Sequence, residues 1–321
     1  MSLLHHSNDS KILAVCGGVG GAKLALGLQG ILGQELTVVV NVADDFFHRG
    51  LKICPDLDTV LYTLSGLNDE QKGWGRAGET WQFMEASKQL GADNWFLLGD
   101  KDLAVHVERT RRLADGETLT GIVEAFSTAL GATSRILPVT DDILQTVVDT
   151  NIGRLEFQRY FVEHRCEPVV TQISFAGANE AKLSPQVAEA FDDQGLRAII
   201  VCPSNPYLSV DPILAIPEFR RKLASRRVPA LAVSPIIGGK AVKGPTAKLM
   251  QELGIPTTSK SIAEHYRGLI DGIVVDTSDA DEARDVGLPV LPTRTLMADI
   301  DARIRLAQSC LTFAEGLSNR I

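Results

Sequence analysis

The sequence predicts an α/β fold with a doubly wound, mainly parallel, Rossmann-like sheet. Short β-branched runs alternate with helical stretches along the chain, as parallel sheets with crossover helices require. The runs are almost continuously apolar, which is typical of strands covered on both faces. The first run leads directly into a glycine-rich turn and a helix from about Ala22. The predicted strands are ILAVC, LTVVVNV, WFLLGD, GLRAIIVC, PALAVSP and DGIVVD.

Composition narrows the class of protein. The 321 residues are 45% apolar and 22% charged, which is ordinary for a globular protein. The net charge of -8 argues against a nucleic-acid partner. Five scattered cysteines without a C-x-x-C pair predict reduced thiols. The first residues show neither a signal-peptide pattern nor an apolar run of membrane-spanning length, so we expect a cytoplasmic protein with no membrane partner.

The predicted organisation is a disordered tail over 1–10 and a single α/β domain over 11–321. Within that domain, turn signals and helical patterns indicate a helix-rich insertion at about 69–135, beside the main sheet. A segment at about 151–194 predicts a small additional sheet, because RLEFQRYFVEH and EPVVTQISFAG alternate in polarity. The doubly wound pattern then resumes with GLRAIIVC.

The turn after the first strand, CGGVGGAKLALGL, predicts an anion site. Glycines let the backbone turn tightly, and the N–H groups and dipole at a helix start attract negative charge. Two standard phosphate motifs are absent, because Lys23 replaces the last glycine of G-x-G-x-x-G and Ala22 interrupts the Gly-Lys pair of a P-loop. A purely structural turn remains the alternative. The glycines concerned are Gly17, Gly18, Gly20 and Gly21.

Two pairs of carboxylates follow the second strand. Asp44 and Asp45 come at its carboxyl end, where open α/β sheets bind ligands. Asp56 and Asp58 lie just before an apolar helix. Adjacent carboxylates repel each other, so a cation, a sugar hydroxyl or an N–H group is expected nearby. Alternatives are the ribose contact of a nicotinamide enzyme, helix capping, or a phosphatase D-x-D motif, although Pro55 separates DLD from the preceding strand.

Other polar loops are expected at the same edge of the sheet. CPSNPYLSVDP and SPIIGGKAVKGPTAK each follow a strand, and the second carries lysines that suit a phosphate cradle. LGDKD and ILPVTDD place further charges near strand ends. His106 is interpreted as an ordinary helix residue. The lysines of the cradle are Lys240, Lys243 and Lys248.

In this order and spacing, the motifs closely resemble the 2-phospho-L-lactate transferase family of coenzyme F-420 biosynthesis. The resemblance extends from about Lys11 to Gly316. It implies that the terminal ribityl hydroxyl of the deazaflavin Fo attacks a guanylated phosphoacid, so that a phosphodiester forms and GMP leaves, with Mg²⁺ required. The family also implies a possible homodimer. The acid is left open among phospholactate, phosphoenolpyruvate and phosphoglycerate.

The resemblance assigns roles to individual residues. Asp45 and Asp58 are predicted to be catalytic and to bind Mg²⁺, which prefers carboxylate oxygens. Which member of the pairs Asp44/Asp45 and Asp56/Asp58 binds the metal is left open. Asp44 and Asp56 are predicted to support them at the substrate. The four glycines are predicted to let a phosphate or the ribityl chain approach the backbone closely. Further substrate-binding assignments are Ser204 and Asn205 for the guanosine phosphates, and Lys101 and Thr140 for the deazaflavin.

Two other classes of function stay open at this point. One is a nicotinamide-dependent oxidoreductase, which the missing fingerprint glycine disfavours. The other is a non-catalytic nucleotide-binding regulator, which would not need so many carboxylates at one sheet edge. The sequence therefore favours the transferase.

Overall fold

The computed structural model describes residues 11–242 and 244–318. The predicted tail over 1–10 and Lys243 lie outside the described residues. Within the described ranges, no helix is both long enough and apolar enough to cross a membrane. All five cysteines are free thiols.

A seven-stranded parallel sheet forms the core, which confirms the predicted fold class. Its strand order is β14-β13-β10-β9-β1-β2-β5. Each strand pairs in parallel with its neighbours. The strands are β1 (Lys11–Cys16), β2 (Leu36–Val40), β5 (Arg135–Pro138), β9 (Leu196–Val201), β10 (Ala230–Val233), β13 (Gly272–Asp276) and β14 (Val290–Thr293).

The strand order reverses between β1 and β9. From β1 the chain adds strands on one side of the sheet, and from β9 it adds them on the other. Such a switch point opens a crevice at the carboxyl ends of the two strands, because the loops that follow them diverge to opposite faces. The glycine turn after β1 and the loop after β9 therefore lie at the position where this fold class binds ligands.

Helices cover both faces of the sheet. The first helix packs against α2 and against the last helix, α11. The helices are α1 (Gly18–Leu32), α2 (Pro55–Leu64), α3 (Gln82–Gln89), α4 (Asp100–Ala114), α5 (Leu119–Leu130), α6 (Pro185–Asp192), α7 (Asp211–Ala215), α8 (Pro217–Ala224), α9 (Thr246–Glu252), α10 (Ser259–His265) and α11 (Ile300–Ser318).

Three small antiparallel sheets accompany the core. Two are hairpins, and the third has the strand order β7-β6-β8. The remaining strands are β3 (Phe46–His48), β4 (Leu51–Ile53), β6 (Gln145–Thr150), β7 (Gly153–Glu156), β8 (Val170–Ala176), β11 (Ile236–Ile237) and β12 (Lys240–Ala241).

The three-stranded sheet differs from its prediction in two respects. It begins at Gln145, before the expected segment at about 151–194. Only the first part of RLEFQRYFVEH is a strand, and Arg159–Glu163 form a π-helical turn. Phe157 and Tyr160 are both buried in the cluster beneath this sheet. Their three-residue separation puts them on one helical face, whereas a strand would point them to opposite faces.

The prediction of a strand at WFLLGD is wrong. Asp100 is instead the first residue of α4. Its carboxylate accepts hydrogen bonds from the amides of Gln82 and Phe83, and so caps the start of α3. Leu98 is buried in a satellite cluster with Ile53 and Met84, away from the main sheet. The apolar run thus serves a local cluster under a loop.

Candidate active site at the sheet switch point

A cavity of about 750 Å³ lies at the switch point. Segments that follow β1, β2 and β9 contribute to its walls, as the topology requires. Eight of the residues predicted from sequence come together there. They are Gly17, Gly18, Gly20, Asp44, Asp56, Asp58, Ser204 and Asn205.

The glycine turn packs closely against the loop after β9. Gly18 has a φ of 62°, which favours glycine. A Cβ on Gly20 would lie 2.5 Å from the Pro203 carbonyl oxygen, so a side chain there would displace that loop. The Gly17 amide donates to Ser204 Oγ at 3.0 Å, and the Gly18 amide donates to Asp56 Oδ1 at 2.8 Å. The first amides of α1 are therefore satisfied by the protein itself.

Asp44 and Asp45 are both buried but face different surroundings. Asp44 lines the cavity, and its Oδ1 has no hydrogen-bond partner among the described residues. Asp45 lies outside the cavity walls, with its Oδ2 3.4 Å from Lys52 Nζ. Burial raises the pKa of both carboxyls; the charge of Asp56 raises that of Asp44 further, whereas Lys52 partly offsets the effect at Asp45.

Asp56 links the glycine turn to the end of β2. Its Oδ2 accepts a hydrogen bond from Asn41 Nδ2 at 3.0 Å, while its Oδ1 accepts from Gly18. Burial raises the pKa of Asp56 to about 6, against the lowering effect of these hydrogen bonds. Asp56 lies in the first turn of α2, where the helix dipole also favours a carboxylate. Burial thus favours the neutral form of Asp56, while its hydrogen bonds favour the charged form.

Asp58 is held by α4. Both of its carboxylate oxygens accept hydrogen bonds from the fully buried Arg109. His106 Nδ1 lies 3.6 Å from Asp58 Oδ2, and His106 Nε2 lies 3.3 Å from Asp102 Oδ2. Asp58, Asp102 and His106 each offer a possible metal ligand, with the three atoms within 4.8 Å of one another.

Sequence reasoning missed this part of the site. His106 is buried and lines the cavity, which contradicts its interpretation as an ordinary helix residue. The i, i+4 spacing of Asp102 and His106 and the i, i+3 spacing of His106 and Arg109 place all three side chains on one face of a helix. This spacing is the sequence signal that indicates a shared polar face on the helix. The partner of this face, Asp58, lies 51 residues from Arg109.

Four predicted site residues lie outside the cavity walls: Gly21, Asp45, Lys101 and Thr140. Lys101 is exposed, and its Nζ donates to the Ala77 carbonyl oxygen at 3.3 Å. Thr140 is fully buried, and its Oγ1 accepts a hydrogen bond from the Asp142 amide at 3.0 Å.

The predicted lysine cradle is only partly present at the cavity. Lys240 and Lys248 are not among the lining residues, although Val242 and 244–246 from the same segment are. Lys248 Nζ donates to the Pro168 carbonyl oxygen and pairs with Glu252. Its charge is thus directed to the three-stranded sheet.

Part of the cavity lining, called the aromatic wall below, is aromatic and apolar. Its rings come from separate segments: the loop before α4, the π-helical turn and its approach, and the loop after α2. Several of these side chains remain partly exposed at the mouth. A flat apolar ring system would bury surface there that now contacts solvent. The side chains are Trp74, Trp95, Phe96, Leu97, Phe157, Phe161, Val242 and Leu296.

The chain is similar to known proteins over most of its length. The family model for 2-phospho-L-lactate transferase CofD matches residues 12–287. A phosphoenolpyruvate transferase from Streptomyces coelicolor is 38% identical over 95% of this chain and 98% of its own length. A 2-phospho-L-lactate transferase from Methanosarcina mazei is 40% identical over 91% and 96%, respectively.

A solved structure shares the fold. It is a member of the UPF0052 family from Bacillus halodurans, with a TM-score of 0.62 at 15% sequence identity. The match covers 94% of this chain and 99% of that chain.

Proposed function

This chain belongs to the CofD family of 2-phospho-L-lactate transferases, and from that premise we propose that it transfers a phosphoacid onto the deazaflavin Fo. The donor is a guanosine diphosphate ester of the acid, and the acceptor is the terminal ribityl hydroxyl of Fo. A new P–O bond forms between that hydroxyl oxygen and the phosphorus that carries the acid, the bond from this phosphorus to the bridging oxygen breaks, GMP leaves with that oxygen, and the hydroxyl proton is lost. The observation that carries this proposal is one cavity in which buried carboxylates face a glycine turn beside an aromatic wall.

The carboxylates of the cavity suit Mg²⁺. Asp44 lines the cavity and has a buried oxygen without a hydrogen-bond partner among the described residues, whereas Asp45, whose two oxygens also lack such a partner, lies outside the cavity walls. Bound Mg²⁺ would neutralise charge on the transferred phosphate. We propose Asp44 and Asp58 as the residues that hold it. Asp45, predicted from sequence for this role, would support them from behind together with Lys52.

The nucleotide is proposed to lie along the glycine turn. The amides of Gly17 and Gly18 are already used, so Val19 and Gly20, which also line the cavity, are the residues whose amides would meet a phosphate at the start of α1. Ser204 and Asn205 would contact the guanosine phosphates from the opposite wall. Asn205 Oδ1 accepts hydrogen bonds from the amides of Tyr207 and Leu208, so its Nδ2 is the group that would bind.

The aromatic wall is proposed to hold the deazaflavin ring. That placement would direct the ribityl chain toward the carboxylates, where the phosphate is transferred. The proton of the attacking hydroxyl would pass to the pair formed by Asp58 and His106, whose nearest atoms are 3.6 Å apart. Because Arg109 binds both oxygens of Asp58, this pair keeps a fixed position during the reaction.

A product assay tests the proposal. Purified protein, Mg²⁺ and Fo are incubated in competition with guanylated phospholactate, phosphoenolpyruvate and phosphoglycerate, and the products are identified by mass spectrometry. We expect one deazaflavin phosphodiester per GMP released, with the preferred acid named by its mass. Reactions with GDP alone or with a chelator are the controls. Absence of phosphodiester with every acid would overturn the proposal.

Variants connect this activity to the site. Asp58→Asn at saturating Mg²⁺ should lower turnover by ~10²- to 10⁴-fold, as expected when a positioned proton acceptor is removed. Near-normal turnover of that variant would exclude Asp58 from the role. No observation at the cavity favours the oxidoreductase or the non-catalytic regulator that the sequence left open.

A further inference from the structure

A smaller chamber of about 130 Å³ adjoins the candidate active site. The two share part of their walls, including Lys23 from α1, Thr59 from α2 and the loop residues 73–75. The chamber and the main cavity thus lie next to each other at these shared residues. The remaining chamber walls come from the loop after α2 and from the start of α11.

Arg303 of α11 gives the chamber its chemical character. Its side chain is only 6% exposed, and its Nη2 donates to Glu70 Oε1 at 2.9 Å. Its Nε is buried without a hydrogen-bond partner among the described residues. A buried guanidinium N–H normally has an acceptor, because leaving it unpaired is costly. The arrangement is that of a cationic site whose hydrogen bonds are incompletely filled.

The rest of the chamber also suits an anion. Lys23 lines it, with its Nζ 3.5 Å from the Met297 carbonyl oxygen. Thr59, Thr63 and Asn68 contribute neutral hydrogen-bonding groups. Glu70 is the only acidic side chain among the described lining residues.

The pairing with Glu70 shows which anion fits Arg303. Glu70 presents a carboxylate, and its side chain is 66% exposed. Because Glu70 is mostly exposed, its carboxylate can be solvated when it leaves, and a ligand carboxylate in its place would keep the buried Arg303 charge paired. The Arg303 guanidinium is thus positioned to bind a carboxylate, and the Glu70 carboxylate that it binds here can be exchanged for that of a ligand.

Arg303 is also fixed relative to the glycine turn. A Cβ on Gly27 of α1 would lie 2.3 Å from the Arg303 carbonyl oxygen, so the two helix backbones are in direct contact at this point. The same helix α1 begins at the glycine turn. The backbone of Arg303 is therefore held against the helix that begins at this turn.

We propose that the chamber binds the carboxylate of the transferred phosphoacid, which displaces Glu70 from Arg303 while the phosphate stays in the main cavity. This inference rests on the proposed function, since it concerns the acid part of the guanylated donor. It makes Arg303 a specificity-determining residue for acids that carry a carboxylate beside the phosphate ester. Glu70 acts as an internal competitor for the same guanidinium.

Equilibrium binding without Fo tests the inference. Isothermal titration compares guanylated phosphoenolpyruvate with GDP, which has the nucleotide phosphates but no carboxylate, on full-length wild type, Arg303→Met and Glu70→Gln. We expect Arg303→Met to weaken binding of the guanylated acid by about 10- to 100-fold, the effect of losing a charge-assisted hydrogen bond, with GDP unchanged. Glu70→Gln should tighten the guanylated acid a few-fold, again with GDP unchanged, because the competitor is gone.

The two variants are expected to change the affinity for the guanylated acid in opposite directions. This distinguishes a ligand-binding role of Arg303 from a purely structural one. If Arg303 only anchored the Glu70 loop, both variants would weaken both ligands alike, and that result overturns the inference. Equal losses for GDP and the guanylated acid in Arg303→Met would identify a nucleotide-phosphate site and overturn it too. Should Arg303→Met fail to fold, Glu70→Gln decides alone, since unchanged or weaker binding of the acid contradicts displacement.

The result is independent of the proposed transfer reaction. Binding that follows the expected pattern without phosphodiester formation from Fo would overturn the proposed acceptor and support the carboxylate site. If the wild type transfers the acid to Fo but neither variant changes the ratio of its affinities for the guanylated acid and for GDP, the proposed acceptor is supported and the carboxylate site is overturned. Failure of the wild type to bind the guanylated acid would overturn both.

Discussion

Arg109 binds both carboxylate oxygens of Asp58 from the interior of the protein, across 51 residues of sequence. The guanidinium is fully buried and the carboxylate lines the cavity. The pair therefore neutralises one of the buried acids and fixes its position relative to α4. Among the described residues, Asp44 lines the same cavity without an ion-pair partner of this kind, and one of its buried oxygens has no hydrogen-bond partner.

Removing this guanidinium should destabilise the fold. Arg109→Met leaves the buried Asp58 charge unpaired, and we expect the free energy of unfolding in urea to fall by ~3–5 kcal/mol. The double variant with Asp58→Asn should recover much of that loss, because no charge is then left unpaired. Arg111→Met on the exposed face of the same helix is the control and should leave stability unchanged. Equal effects of the two arginine variants would contradict this account.

Asp44 and Asp45 should respond differently to the same substitution. Asp44→Asn removes a cavity-facing carboxylate, and we expect the Mg²⁺ concentration for half-maximal turnover to rise by ~10-fold or more, since even outer partners of a metal site contribute that much. Asp45→Asn should have a smaller effect, because Asp45 lies outside the walls beside Lys52. Mg²⁺ titration of product formation measures both. The reverse order would favour Asp45, as the sequence predicted.

Two glycines of α1 should give opposite results when changed to alanine. Gly27→Ala places a Cβ 2.3 Å from the Arg303 carbonyl oxygen, so we expect stability to fall by ~1–3 kcal/mol as the helices separate. Gly30→Ala is the matched control on the same helix, where the nearest atom is 3.7 Å away, and it should gain up to ~1 kcal/mol from helix propensity. Urea unfolding distinguishes them. A Gly27→Ala variant more stable than the wild type would contradict close contact between α1 and α11 at this point.

Asp276 should make stability sensitive to acid. Burial raises the pKa of this carboxyl, but hydrogen bonds from Ser278 and Thr295 outweigh that effect and hold it below the usual range. Since the folded pKa is the lower one, this stabilisation is present above about pH 4 and is lost as the pH falls through the folded pKa. The stability difference between wild type and Asp276→Asn should therefore shrink as acid is added. A difference independent of pH would exclude this origin.

The same variant should affect the cavity. Thr295 lines it, and both its amide and its hydroxyl donate to Asp276. We expect Asp276→Asn to raise KM more than it lowers kcat at neutral pH, because it loosens a wall without touching the carboxylates. Steady-state kinetics of product formation check this, and an unchanged KM would contradict it.

The sequence by itself determined the fold class, the family and the edge of the sheet that carries the site. These follow from local signals: apolar runs give the strands, and the glycine turn marks the switch between a strand and a helix. Because parallel strands present their carboxyl ends together, the acids after β2 and the Ser204–Asn205 loop after β9 had to meet the glycine turn. The structure places most of them around one cavity, with Asp45 and Gly21 outside its walls.

Only the tertiary structure decided which side chains face that cavity. Asp44 and Asp45 are neighbours in a turn, so no periodic pattern indicates which one points inward. Arg109 meets Asp58 across 51 residues, and Arg303 meets Glu70 across 233, and neither encounter leaves a trace in local sequence. Lys101 and Thr140 lie near strand ends or helix starts but point elsewhere. The direction of a side chain depends on packing between distant elements, which the order of residues along the chain does not reveal.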